Sequence, residues 1–79
     1  MTYFTKKLYT YHGYSEFIFN RKDGASCYHV SVRNGDGRAV LFTMEAAEDD
    51  WRISNAPQVP DWIRQSEKVL ADEILRNLN

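Results

Sequence analysis

The hydrophobic residues of this chain change their period near residue 54. Over residues 4–53, apolar side chains recur at every second position, in short runs separated by glycines, as is typical of β-strands. Over residues 60–78, they recur at helical spacing and no glycine interrupts them. The pattern predicts an α+β fold: an antiparallel meander sheet of four to five strands with one C-terminal helix packed on one face.

Length and composition narrow the class of protein. The 79 residues fit one domain, 1–79, with the sheet at about 3–53 and the helix at about 60–78. A net charge of −1 gives no argument for binding nucleic acid or a membrane. Cys27 is the only cysteine, so no intramolecular disulfide can form. With no apolar leader and no run long enough to span a bilayer, we expect a soluble, cytoplasmic protein.

Alternation and turn residues divide the first part of the chain into strands. Glycine-containing turns at His12-Gly13, Lys22-Asp23-Gly24 and Asn34-Gly35-Asp36-Gly37 favour hairpin connections. The acidic run 45–50 is predicted to be a loop, with one helical turn within it as an alternative. The predicted strands are residues 4–11, 14–20, 27–33, 38–44 and, as a short fifth strand, 51–53.

The predicted helix has one apolar side. Pro60 suits its first position, because a fixed φ and a missing N–H cost least there. Ile63, Leu70, Ile74 and Leu78 fall within a stripe of about 80°. Glu67 lies on the same stripe, so its carboxylate must reach the edge of the interface or find a cation.

The sheet face that the helix leaves open is the candidate functional surface. If the helix covers the face bearing Phe4, Phe17, Val30 and Phe42, nothing in the chain covers the other face. That other face is more apolar than a solvated sheet face usually is. Its candidate interaction residues are Tyr9, Tyr11, Tyr14, Ile18, His29, Arg33 and Leu41.

No pattern in the chain indicates catalysis, a cofactor or a metal site. Cys27 and His29 share a strand face, but a structural zinc site needs four ligands and no second pair has the right spacing. We therefore predict no enzyme activity, no cofactor and no metal.

The sequence favours a small non-catalytic protein-interaction module that acts through the open sheet face or an edge strand. Its partner can be a second copy of the same chain, in which case the protein is a homodimer. An idle surface is a second interpretation. A third is a ligand-binding or single-stranded nucleic-acid-binding domain that uses the same tyrosines.

Overall fold

The structure, a computed structural model, describes residues 2–10, 13–21, 26–33, 37–54 and 58–77. Its five strands form one sheet in the order β1-β2-β3-β4-β5, in which every neighbouring pair is antiparallel. The sheet curls into a half-barrel, and the helical segments follow it in the chain, which confirms the predicted α+β meander. The elements are β1 (Thr2–Thr10), β2 (Gly13–Arg21), β3 (Cys27–Arg33), β4 (Ala39–Ala47), β5 (Asp50–Ile53), α1 (Asp61–Arg64) and α2 (Glu67–Asn77).

The side of the sheet that the helical segments cover, here called the inner face, carries the hydrophobic core. Phe17, Phe19, Tyr28 and Met44 are fully buried there. Phe4 stacks on Phe19 with ring centroids 4.5 Å apart. The predicted inner-face residues Val30, Val32 and Phe42 are buried, and Phe4, Leu8 and Val40 pack against the core while remaining partly exposed. The two-residue alternation therefore assigned this face correctly.

The helical region differs from the single helix predicted for 60–78. It consists of two segments, α1 and α2, which Gln65 and Ser66 separate. At this break the Ser66 amide donates to the Ile63 carbonyl, one residue short of the α-helical spacing. The Ser66 hydroxyl also donates to the Trp62 carbonyl at 3.5 Å, a side-chain contact of the kind that disfavours a continuous helix. Leu78 lies outside the described residues.

α2 docks with Leu70 at the centre of its buried side. At about 100° per residue, Glu67 and Glu73 lie about 60° to either side of Leu70. Glu67 accepts a hydrogen bond from the Ile53 amide of β5, with Oε2 2.9 Å from the nitrogen. Glu73 Oε2 lies 3.7 Å from Lys6 Nζ of β1. The two carboxylates therefore connect the helix to the first and last strands of the half-barrel.

The acidic run 45–50 is not the loop that was predicted. Residues 45–47 continue β4, Glu48 and Asp49 form a two-residue turn, and Asp50 begins β5. Glu48 has a φ of 55°, in the left-handed region that tight hairpin turns require. Residues other than glycine rarely adopt this left-handed conformation, and the run contains no glycine. The sequence pattern therefore did not indicate a tight turn here.

Candidate functional site

The side of the sheet that faces away from the helical segments, here called the outer face, exposes large side chains. Tyr9 is 76% exposed, Tyr14 is 77% exposed and Leu41 is 76% exposed. Single exposed apolar residues are normal on a soluble domain, but these lie on one face of one sheet. The predicted open face is therefore present in the structure.

Tyr9 and Tyr14 make an aromatic pair at one end of the outer face. They are direct cross-strand partners between β1 and β2. Their ring centroids are 5.0 Å apart and the planes are inclined by 75°, the edge-to-face arrangement that aromatic pairs favour. Each ring packs against the edge or face of the other, although most of the area of both rings is exposed.

The strand register aligns further outer-face residues in two rows across the sheet. Ile18 of β2 is opposite Ser31 of β3, which is opposite Leu41 of β4. The next row places Asn20 opposite His29, and His29 opposite Thr43. Ile18 is half-buried and His29 is exposed.

A groove of about 300 Å³ opens where these two rows meet. Its lining residues are Asn20, His29, Val30, Ser31, Leu41, Phe42 and Thr43. The groove therefore offers an amide, an imidazole and two hydroxyls, with an exposed leucine among its lining residues. Such a lining can hold one apolar side chain of a partner while hydrogen-bonding to the polar groups beside it.

Arg33 is less available than the sequence suggested. It lies at the exposed end of β3, but its Nη1 atom donates to the Gly37 carbonyl at 2.9 Å. This hydrogen bond ties the guanidinium to the connection between β3 and β4. Tyr11, another predicted residue of this face, lies outside the described residues. The structure therefore brings His29 and Leu41 together in the groove, places Ile18 two strands away from Leu41 in the same row, and places Tyr9 and Tyr14 at one end of the face.

The lining of the groove combines polar and apolar side chains. Among the described residues that line it, His29 is the only titratable one. Within the described ranges, no hydrogen bond joins His29 to Ser31, the hydroxyl-bearing residue two positions along the same strand. A serine nucleophile needs a base within hydrogen-bond reach. In the same part of the chain, no group of three or more His, Cys, Asp or Glu side chains is placed to hold a metal ion.

Sequence reasoning did not find the groove, because the groove depends on which residues become cross-strand neighbours. The alternation places Asn20, Ser31 and Thr43 on the outer face but says nothing of the register that brings them beside His29. The turn residues carry that signal, since turn length fixes register in a hairpin.

A second polar feature lies on the inner face, away from the groove. The guanidinium carbon of Arg21 lies 5.5 Å from the centroid of the Tyr28 ring, a cation–π geometry. Arg21 Nε and the Tyr28 hydroxyl are buried without a hydrogen-bond partner among the described residues. Neither atom reaches the outer face, so this feature is separate from the candidate site.

The described helices are all too short or too polar to cross a lipid bilayer. Comparisons with protein-family profiles, with curated proteins and with solved structures find no match to this chain. The assignment of the outer face as the candidate site therefore depends on its geometry alone.

Proposed function

We propose that this protein is a small, non-catalytic interaction module that binds a partner protein through the outer face of its sheet. The observation that carries the proposal is the asymmetry of the two faces. The inner face is buried under the helical segments, whereas the outer face exposes Leu41 beside a groove and the Tyr9 and Tyr14 pair at one end of the sheet. Exposed aromatic side chains and a groove that can take an apolar side chain are both typical of the energetically important parts of an interface.

The chemistry of the surface favours a protein over a nucleic acid. Lys7 and Glu16 are cross-strand neighbours on this face, so their charges offset each other. The whole chain has a net charge of −1. A surface that stacks single-stranded bases is usually basic as well as aromatic, because phosphate contacts supply much of the affinity. The half-buried Cys27 thiol supports a reducing, cytoplasmic location as part of the same proposal.

Affinity capture from a lysate, followed by titration of the purified partner, tests the proposal. The outer-face variant is Tyr14→Ser with Leu41→Ser, because both side chains are three-quarters exposed and their loss should not disturb folding. The matched control is Val69→Ser with Leu75→Ser, which removes two exposed apolar side chains from α2. We expect the partner to bind the wild type and the control, and the outer-face variant to bind at least tenfold more weakly, on the order of two modest hot-spot residues.

Equal binding of one partner by the wild type and both variants would contradict the proposal. The proposal would also be contradicted if the wild type captured no protein beyond those that the outer-face variant captures. That result would favour an idle surface. A fluorescent single-stranded oligonucleotide, titrated against the same three proteins, tests the alternative function. Binding that only the outer-face variant loses would favour the nucleic-acid interpretation.

A further inference from the structure

The two free edges of the sheet differ. The β5 edge is only four residues long, and Glu67 already occupies the amide of Ile53. The β1 edge is nine residues long. Between Tyr3 and Tyr9, no hydrogen bond from outside the sheet reaches the main chain of β1 among the described residues. Alternate N–H and C=O groups of an edge strand point away from the sheet, so β1 presents an open row of donors and acceptors.

The side chains of β1 are self-complementary about Lys6. In an antiparallel pairing of two copies centred on Lys6, Tyr3 is opposite Tyr9 of the other copy and Phe4 is opposite Leu8. Thr5 is then opposite Lys7. Aromatic residues therefore meet aromatic residues on the outer face, and apolar residues meet apolar residues on the inner face, the pairings that stabilise antiparallel strands.

The exposure of these residues fits such a pairing. Tyr3 is 61% exposed and Tyr9 is 76% exposed, so the aromatic rings of both have apolar area that a second strand can bury. Phe4 and Leu8 lie on the inner face but are only partly buried, because they are at the border of the core. A second β1 strand would extend the core past this border and cover both residues.

Lys6 would lie opposite Lys6 of the other copy, and the structure contains a counter-charge for it. Glu73 Oε2 is 3.7 Å from Lys6 Nζ, and the Glu73 side chain is only 15% exposed. The same Glu73 oxygen lies 3.9 Å from Arg76 Nη1, so each carboxylate is shared between a lysine and an exposed arginine. The pairing therefore brings two lysines together beside two carboxylates, not two cations that lack a counter-charge.

We infer that this protein forms a two-fold symmetric dimer by antiparallel pairing of β1 with β1 of a second copy, in the register that centres on Lys6. The inference rests on the proposed function, which gives the sheet a role in binding proteins. It adds that one binding partner is a second copy of the same chain. The two sheets join into one continuous sheet of ten strands. Tyr3 of each copy then extends the Tyr9 and Tyr14 pair of the other across the outer face.

Two substitutions at one position test the interface and its register. Thr5 is exposed and lies opposite Lys7 of the other copy in the inferred dimer, twice by symmetry. Thr5→Glu should tighten the dimer and Thr5→Lys should weaken it, each by roughly 3- to 10-fold in the dissociation constant, from two cross-strand charge pairs. Net charge alone predicts the opposite order, because Thr5→Glu makes an acidic chain more acidic.

Sedimentation equilibrium from low micromolar to near-millimolar protein gives the dissociation constants of the wild type, both Thr5 variants and the outer-face variant. Thermal melting confirms that each variant is folded. Amide hydrogen exchange at both ends of the concentration range provides a second readout, in which β1 should gain protection on association. The outer-face variant, Tyr14→Ser with Leu41→Ser, should still dimerise with at most a small loss of affinity, because neither residue pairs with the second copy and Tyr14 contacts the interface only through Tyr9 of its own chain.

A wild type that stays monomeric over the whole range overturns the inference and leaves the proposed function to the capture experiment. A dimer that Thr5→Glu and Thr5→Lys do not shift in opposite directions also overturns it. A dimer lost only in the outer-face variant would assign self-association to the outer face, against this inference and in support of the proposed function.

Discussion

At the residue scale, Tyr28 places a polar atom in an aromatic cluster. Its ring contacts Phe4, Phe19 and Trp51 edge-on, with centroids 5.6, 6.2 and 5.3 Å away. Its hydroxyl is buried and has no hydrogen-bond partner among the described residues. An unsatisfied buried hydroxyl costs about 1–3 kcal/mol. We therefore expect Tyr28→Phe to raise the free energy of unfolding by roughly 1 kcal/mol, as measured by urea denaturation.

A second variant at the same position separates the hydroxyl from the ring. Tyr28→Ala removes the ring and should lower the free energy of unfolding by about 3–5 kcal/mol. If Tyr28→Phe were instead destabilising by about 1 kcal/mol, the ordinary contribution of one hydrogen bond, the hydroxyl would have a partner in solution and the prediction would be wrong.

At the element scale, Glu67 joins the first turn of α2 to the edge strand β5. Its carboxylate accepts the Ile53 amide at 2.9 Å. Hydrogen bonds to charged groups contribute about 1.5–3 kcal/mol, and this one is partly solvated, so Glu67→Ala should cost about 1–2 kcal/mol. Glu67→Gln keeps an acceptor oxygen and should cost less than half as much. Urea denaturation gives both values, and amide exchange at Ile53 should accelerate more in Glu67→Ala.

The exposed Asp72 is a matched control on the same helix. Asp72→Ala removes a carboxylate that no described backbone amide contacts, so it should change the free energy of unfolding by only a few tenths of a kcal/mol. Equal costs for Glu67→Ala and Asp72→Ala would show that the bond to Ile53 adds nothing to stability.

Glu67 also shows how far periodicity predicts the elements. The helical spacing placed Leu70 and Ile74 in the core, and both are fully buried. The same spacing identified Glu67 as a charged residue on an apolar stripe. Its partner is a strand amide, not a cation, and no sequence pattern contains that contact, because it joins residues 14 positions apart. The helix break at Ser66 was missed for a related reason: one serine hydroxyl does not change the apolar period.

At the scale of the whole molecule, the sheet and its two faces follow from the sequence, but the site only in part. Alternation separated Tyr9, Tyr14 and Leu41 from the core residues, as the structure confirms. The groove around His29 needed the register of three strands. That β1 is a free edge could be seen only once the strand order was known. Only a strand at a free edge can pair with a second copy, so the symmetry of its side chains about Lys6 could not be interpreted before that. Pairwise neighbours across strands are tertiary information, which short-range patterns do not contain.

The buried inner face also determines how the molecule unfolds. Phe17, Phe19 and Val30 on the sheet share one core with Leu70 and Ile74 of α2. A sheet without its helix would expose that face to water, so the sheet and the helix should unfold together.

Leu70→Ala should lower the free energy of unfolding by about 2–5 kcal/mol, because it opens a cavity beneath the helix. The slowest-exchanging amides of β3 and α2 should lose protection by that same free energy, as measured by native-state hydrogen exchange. Val69→Ala, at an exposed position of the same helix, is the control and should leave both sets of amides nearly unchanged. Loss of protection confined to α2 in Leu70→Ala would mean that the sheet is stable without its helix, against the single cooperative unit that the shared core implies.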